Sequence, residues 1–258
     1  MITIASWNIN SVKARLEAVT TWLGKNQPDM VLMQEIKCVT DAFPIRHFKD
    51  LGYHSSVIGM PAYHGVAILS REPVAINATA LPGDPGDIQA RFIDVQWRDM
   101  RFIDVYCPNG NPLGTEKFDY KLRWLERLRD YCGDLLDDRQ KFLVGGDFNI
   151  IPEPVDAAHP AQWVNDALYQ PESRAHWRTL LNLGLVDPFR ALHPHEKDAY
   201  TFWDYQAGSW QRDNGIRIDH FLLSPFFADK LVKCWIDKEP RGGEKPSDHT
   251  PILAQFDI

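Results

Sequence analysis

Cysteine is scarce in this chain: there are four among 258 residues. Cys38, Cys107, Cys132 and Cys234 are scattered, with no CxxC pair and no zinc-ligand spacing. That pattern excludes a disulfide scaffold and a zinc-finger core, and it predicts free thiols in a reducing compartment. An excess of basic residues is missing too. The net charge is −7, whereas a polyanion binder is expected to carry a basic footprint. Carboxylates gathered around a divalent cation would add to such a total without opposing a local basic face. No run approaches the ~18 apolar residues a membrane span needs. No basic stretch precedes the alternating Ile2-Thr3-Ile4-Ala5, as a secretory leader would require. The expectation is a soluble, cytoplasmic protein with no membrane partner. Internal repeats, low-complexity tracts and Gly/Ser linkers are also absent, and the proline-rich pieces at 82–86 and 151–160 are short enough to be loops. Residues 1–258 therefore read as one domain.

What is present is ordinary globular material, 44% hydrophobic and 24% charged, enough to bury a substantial core. Short apolar or alternating runs predict strands at 2–7, 30–34, 65–70, 91–97, 101–106, 141–146, 218–224 and 251–256. Arg98, Asp99 and Met100 separate two of these as a tight hairpin would. Helical spacing predicts helices over 11–25 and 115–136, the latter from Leu122, Leu125, Leu128 and Leu135. Strands dominate with helices interspersed, which predicts an α/β fold of two packed mixed sheets flanked by helices rather than an α/β barrel.

The ends of these runs carry the chemistry. The first ends in Trp7-Asn8-Ile9-Asn10, the second in Gln34-Glu35, and the hairpin in Tyr106 followed by Pro108-Asn109-Gly110. The run at 141 ends in Gly145-Gly146-Asp147-Phe148-Asn149, Arg217 and Asp219 lie at the start of the next, and Ser247-Asp248-His249 precede the last. Taken singly, such residues are more often turn formers, and Glu35 could simply pair with Lys37 at the surface. Six such endings in one chain weaken independent turn chemistry as the explanation, because strand ends can converge on one site.

WNIN at 7–10, QE at 34–35, GDFN at 146–149, GIRIDHFLLS at 215–224 and SDH at 247–249 resemble, in order and across nearly the whole chain, the motifs of the exonuclease III family of AP endonucleases. That family lies within the endonuclease/exonuclease/phosphatase superfamily, and EKPSDHTP and NGIRID look closest to its bacterial branch. The resemblance implies a four-layered α/β sandwich. It also implies a Mg²⁺-dependent DNA repair phosphodiesterase that incises 5′ to abasic sites and trims or unblocks 3′ ends of duplex DNA, as a monomer.

Carried over residue by residue, the resemblance makes Asn8 and Glu35 the metal side, with Asp248 supporting the metal or the His249 loop. Asp147 orients or deprotonates the attacking water, Asn149 is a phosphate or water donor, and Tyr106 a phenolic donor near the phosphate. Asp219 fixes the His249 imidazole, whose charged form could stabilise a phosphoryl oxygen. Hard carboxylate oxygen suits Mg²⁺, with Mn²⁺ as a substitute, and no Cys/His cluster invites zinc. Phe202, Trp203, Ile216 and Ile218 resemble the pocket for an extruded abasic sugar, with core packing the alternative for the two aromatics. Ile216 stands where some family members carry an aromatic, which bears on the balance between the two activities. Arg91, Lys121, Arg123 and Arg217 are candidate phosphate contacts. Two other readings share these motifs: a phosphohydrolase of the same superfamily acting on a phosphoinositide or sphingolipid, and a catalytically silent nucleic-acid-binding regulator.

Overall fold

The computed structural model describes residues 1–258. In chain order its elements are β1 (Ile2–Asn8), α1 (Leu16–Asn26), β2 (Met30–Gln34), α2 (Ile45–Asp50), β3 (His54–Ile58), β4 (Val66–Ser70), β5 (Ala75–Ala78) and β6 (Phe92–Trp97). There follow β7 (Met100–Tyr106), α3 (Glu116–Asp137), β8 (Lys141–Asp147), α4 (Pro171–Asn182), α5 (Pro188–Leu192), β9 (Asp219–Leu223), α6 (Pro225–Asp229), β10 (Leu231–Ile236) and β11 (Ile252–Phe256). One sheet runs β10-β11-β1-β2-β4-β3 and the other β5-β6-β7-β8-β9. Both are mixed: β1 and β2 are parallel, as are β7 and β8, and the remaining pairs are antiparallel. The hairpin joining β6 to β7 turns on Arg98 and Asp99, with Arg98 left-handed at φ 58°.

Strand alternation explains the layering. Ile2 and Ile4, Met30 and Leu32, Met100 and Phe102, Leu143, and Phe221 and Leu223 point into the shared core between the sheets. The intervening side chains point outward. Ala5, Trp7, Val31 and Met33 pack under Trp22 and Leu23 of α1, while Ile103, Val105, Val144 and Leu222 pack under α3 and α4. Helix, sheet, sheet and helix therefore form the four layers, an α/β sandwich. Helix α3 begins at Thr115, whose side chain accepts the Lys117 N–H at 3.4 Å, with Glu116 and Asp119 in the first turn. Trp124, Leu125, Leu128, Cys132 and Leu135 form its buried stripe. Each such residue contributes about 1.5–3 kcal/mol of burial, so Leu128→Ala would cost about 2–5 kcal/mol.

The inner face changes character along its strands. Where Ile2 and Ile4 are apolar, Ser6 and Asn8 follow; Leu32 is followed by Gln34, Phe102 by Asp104 and Tyr106, and Leu143 by Asp147. Strand β9 runs the other way, so its first residue, Asp219, pairs with Asp147. The sandwich is thus apolar at depth and polar at one mouth. Two glycines let the strands close there: a Cβ on Gly145 would lie 2.6 Å from the Phe221 ring, and one on Gly146, at φ +154°, would fall 1.9 Å from the Val105 carbonyl oxygen.

Candidate active site

The ends of β2 and β8 and the segment before β11 bring Glu35, Asp147 and His249 together, with one donor atom of each within 4.8 Å of the others. Glu35 sits just past β2 in a left-handed conformation, φ 51°, and Asn10 and Asn149 are left-handed as well at 44° and 50°. Asparagine tolerates that region, but glutamate is less at home there, at about 1–3 kcal/mol. The bonds from Ser11 N–H to Glu35 O (2.7 Å) and from Ile36 N–H to Gly65 O (3.2 Å) hold the turn.

Asn8 joins two of the acids. Its Nδ2 donates to Glu35 Oε1 at 2.8 Å and to Asp147 Oδ2 at 3.0 Å, and its Oδ1 accepts the Asn10 N–H at 3.1 Å. The Lys37 ammonium lies 2.9 Å from Glu35 Oε2. Burial works against the Glu35 charge, but Lys37 and Asn8 outweigh it and hold the carboxyl below its ordinary range. On the other side His249 Nδ1 meets Asp219 Oδ2 at 2.8 Å, and His249 Nε2 stands 3.8 Å from Asp147 Oδ2. Burial disfavours the imidazolium, yet the charges of Asp219, Asp147 and Asp248 prevail and push the imidazole up to about 10. Burial pushes Asp147 up to about 7, the Asp219 and Glu35 charges adding to it against the pull of His249. The Asn149 N–H fixes Asp147 through Oδ1 at 2.9 Å.

Three carboxylates thus face two cationic side chains, and one buried carboxylate atom, Asp219 Oδ1, has no partner. An imidazolium has no free lone pair, so His249 is a donor rather than a ligand. The oxygens of Glu35 and Asp147 are a hard donor set suited to Mg²⁺ and lacking thiolate, and a divalent charge there would relieve the imbalance that raises Asp147.

Residues 5–249 match the endonuclease/exonuclease/phosphatase family. The chain belongs to that family. Exodeoxyribonuclease III of Haemophilus influenzae is 33% identical over 97% of this chain and 98% of its own. Among solved structures, an AP endonuclease from Archaeoglobus fulgidus is 38% identical with a TM-score of 0.95, covering 100% of both chains. A Neisseria 3′ phosphatase bound to a product DNA hairpin is likewise 38% identical, with a TM-score of 0.96 and 100% coverage of both.

Within this family member the other expected residues fall into two groups. Phe202, Ile216 and Ile218 come together with Ile151, Ala157 and Leu168 in one apolar cluster, and the Phe202 ring lies edge-on to His249 at 5.0 Å. The Tyr106 phenol lies beside Glu35 and Asp147; burial and their charges hold it protonated. Asn149 donates through Nδ2 to Cys107 O (2.9 Å) and accepts from Asn109 Nδ2 (3.1 Å).

The second group is corrected by position. Arg217 is fully buried and bonds Asp156 at 2.7 Å and Asp187 at 2.9 Å, so it meets no substrate. Trp203 is core: it is 0% exposed and its Nε1 is bound to Asp213, because it points the opposite way from Phe202 along the same extended segment. Lys121 is buried beneath the carbonyls of Asn109 and Asn149 rather than offered to a phosphate. Arg91 is 7% exposed, donates to Tyr106 O at 3.1 Å and stacks on the Tyr106 ring at 4.6 Å, and so braces that residue. Asn8 donates through Nδ2 to Glu35 and Asp147, and its Oδ1 takes the Asn10 N–H. Asp248 takes the Asn10 amide at 3.0 Å and stands outside the Glu35–Asp147–His249 group. Sequence reasoning gave no site role to Lys37, Asn10 or Asn109; the signal for the first was its place two residues after Glu35.

Proposed function

We propose that the protein is a DNA repair nuclease of the exodeoxyribonuclease III kind. On this reading it is a Mg²⁺-dependent phosphodiester hydrolase that incises duplex DNA 5′ to abasic sites and trims or unblocks 3′ ends, acting as a cytoplasmic monomer. No helix is long and apolar enough to cross a membrane. The observation that carries the reading is the meeting of Glu35, Asp147 and His249 around one point of the sandwich mouth. The relatives named exodeoxyribonuclease III and AP endonuclease support DNA as the substrate, as does the 3′ phosphatase held on a DNA product.

Phosphodiester hydrolysis needs an activated water, compensation for charge on the nonbridging oxygens, and help for the leaving oxygen. Asp147, its carboxylate set between Asn8 and His249, accepts a proton from the attacking water. Its orientation is fixed by Asn8 Nδ2 on one oxygen and the Asn149 N–H on the other. His249, charged to about pH 10, donates from Nε2 toward the phosphoryl oxygen while Asp219 holds Nδ1. Tyr106, kept protonated, is a second donor on the same side. Glu35, with Asp147 beside it, would hold Mg²⁺ or Mn²⁺. When bound, such an ion supplies Lewis-acid polarisation of the phosphate. The apolar cluster around Phe202 receives the sugar of an abasic site, which lacks a base to stack and costs least to extrude.

The test is a substrate panel: a duplex with one abasic site, a duplex with a 3′-phosphate end, and a soluble phosphoinositide, each with Mg²⁺, Mn²⁺ or EDTA. Both duplexes should be processed in either metal and neither in EDTA. Hydrolysis of the phosphoinositide with both duplexes left intact would overturn the proposal.

A further inference from the structure

One layer behind the mouth of the site, between the two sheets, lies a carboxyl group with no cation. Asp104 on β7 is 0% exposed. The nearest arginine in its strand, Arg101, is taken by Asp94 on the outward face. Asp104 Oδ1 accepts from Gln34 Nε2 at 2.7 Å, and the other Nε2 hydrogen goes to Ser6 Oγ at 3.1 Å. Two atoms remain, Asp104 Oδ2 and Gln34 Oε1, both buried and both without a partner.

An ionised carboxylate and an amide carbonyl are both acceptors, so an ionised Asp104 leaves two unsatisfied acceptors within one hydrogen-bonded pair. A single proton on Asp104 would turn one of these two acceptors into a donor for the other. Exchanging the amide oxygen and nitrogen would set that oxygen 2.7 Å from Asp104 Oδ1, two acceptors that again need a proton between them. The surroundings agree. Burial pushes this carboxyl well above its ordinary range, and only the Gln34 amide and the main-chain N–H groups of Met33 and Ala67 oppose it, with no charged side chain among them.

We propose that Asp104 is kept as a neutral carboxylic acid bonded reciprocally to Gln34, and that this acid–amide ring positions the residue that precedes Glu35. Gln34 is the last residue of β2, its carbonyl accepts the Ile9 N–H at 3.1 Å, and the left-handed turn of Glu35 starts from it. The ring therefore ties the second sheet to the strand end that presents the carboxylate. Asp104 touches no substrate and acts through Gln34. The protonation state stands on the two unpaired acceptors and the burial around them, and only the expected effect on turnover rests on the nuclease reading.

The folded chain holds a proton that the unfolded chain releases above about pH 4. Asp104 therefore makes stability fall as pH rises, and Asp104→Asn removes that slope. The experiment uses the full chain with ¹³C-carboxyl-labelled aspartate, and the Asp104 resonance is the one missing from Asp104→Asn. It should keep the protonated chemical shift from about pH 5 to about pH 8. Asp104→Asn, which preserves the ring, should cleave abasic duplex as the wild type does. Asp104→Leu should need at least about tenfold more Mg²⁺ for half-maximal cleavage. A resonance at the ionised shift at neutral pH would overturn the proposal, as would an Asn variant impaired like the Leu variant or a Leu variant with wild-type Mg²⁺ demand. If the Leu variant does not fold, the resonance and the Asn variant decide. A protonated Asp104 in a chain that cleaves no DNA would instead count against the nuclease reading.

Discussion

Replacing Asp219 by asparagine isolates the charge of His249 from its position. The amide oxygen of Asp219→Asn can still accept the Nδ1–H now held at 2.8 Å, so the ring stays where it is. What changes is the field. The rise of the imidazole from 6.5 to about 10 corresponds to about 5 kcal/mol in favour of the charged form, at roughly 1.4 kcal/mol per tenfold change. Asp219 is its largest favourable source and burial its main opponent. Without that carboxylate the buried imidazole should be neutral at pH 7.5 and lose its value as a phosphate donor, and kcat should fall by about 10²–10³. A raised histidine pKa stabilises the fold fully below 6.5 and loses that contribution as pH rises through about 10. The stability gap between wild type and variant should therefore be widest in mild acid and shrink toward pH 10. Single-turnover cleavage across pH, with imidazole ¹⁵N shifts recorded alongside, reads both effects. An imidazole still charged at pH 7.5 in the variant, or a kcat within a fewfold of wild type, would refute the reasoning.

The wild-type pH–rate profile should fall on its alkaline side, near pH 10, as His249 loses its proton; a rate that stays level well past that limit would contradict the assignment. Arg217→Met leaves Asp156 and Asp187 without their buried partner and should cost about 3–5 kcal/mol, which for a chain of this size is a fall in Tm of about 6–20 °C. The salt dependence of DNA binding by that variant should be unchanged, because no phosphate contact is lost. Phe202→Ala opens the apolar cluster beside His249 and should lower abasic-site incision relative to 3′-end removal by about tenfold, measured on the two duplexes in parallel.

The strands with inward apolar faces were legible in the sequence, and the three that escaped, β3, β5 and β10, are all sheet edges. An edge strand has solvent on one side and carries serine, asparagine or lysine in place of an apolar run, as HSSVI, AINA and LVKCWI do. Helix α4 was missed although Trp177 and Leu180 are buried, because Arg174, His176 and Arg178 interrupt its stripe. At the site, the positions where apolar alternation gives way to Asn8, Glu35, Asp147 and His249 could be read directly. The buried cations could not. Arg217 finds its partners 61 and 30 residues away, and nothing local distinguishes it from a surface arginine. Asp104 is hidden for the same reason: within the run RFIDVY it looks like an outward-facing residue of a half-exposed strand.

The central claim is that Glu35, Asp147 and His249 surround a single scissile phosphate with a divalent ion. Its most direct measurement is cleavage of a 5′-labelled duplex with one abasic site by wild type, Glu35→Ala and Asp147→Asn across a Mg²⁺ titration, with duplex binding measured in parallel. The account predicts one incision 5′ to the abasic site for wild type, none in EDTA, and loss of at least about 10² in rate for each variant, with binding retained by Asp147→Asn. Incision by wild type in EDTA, or by either variant at the wild-type rate, would contradict it.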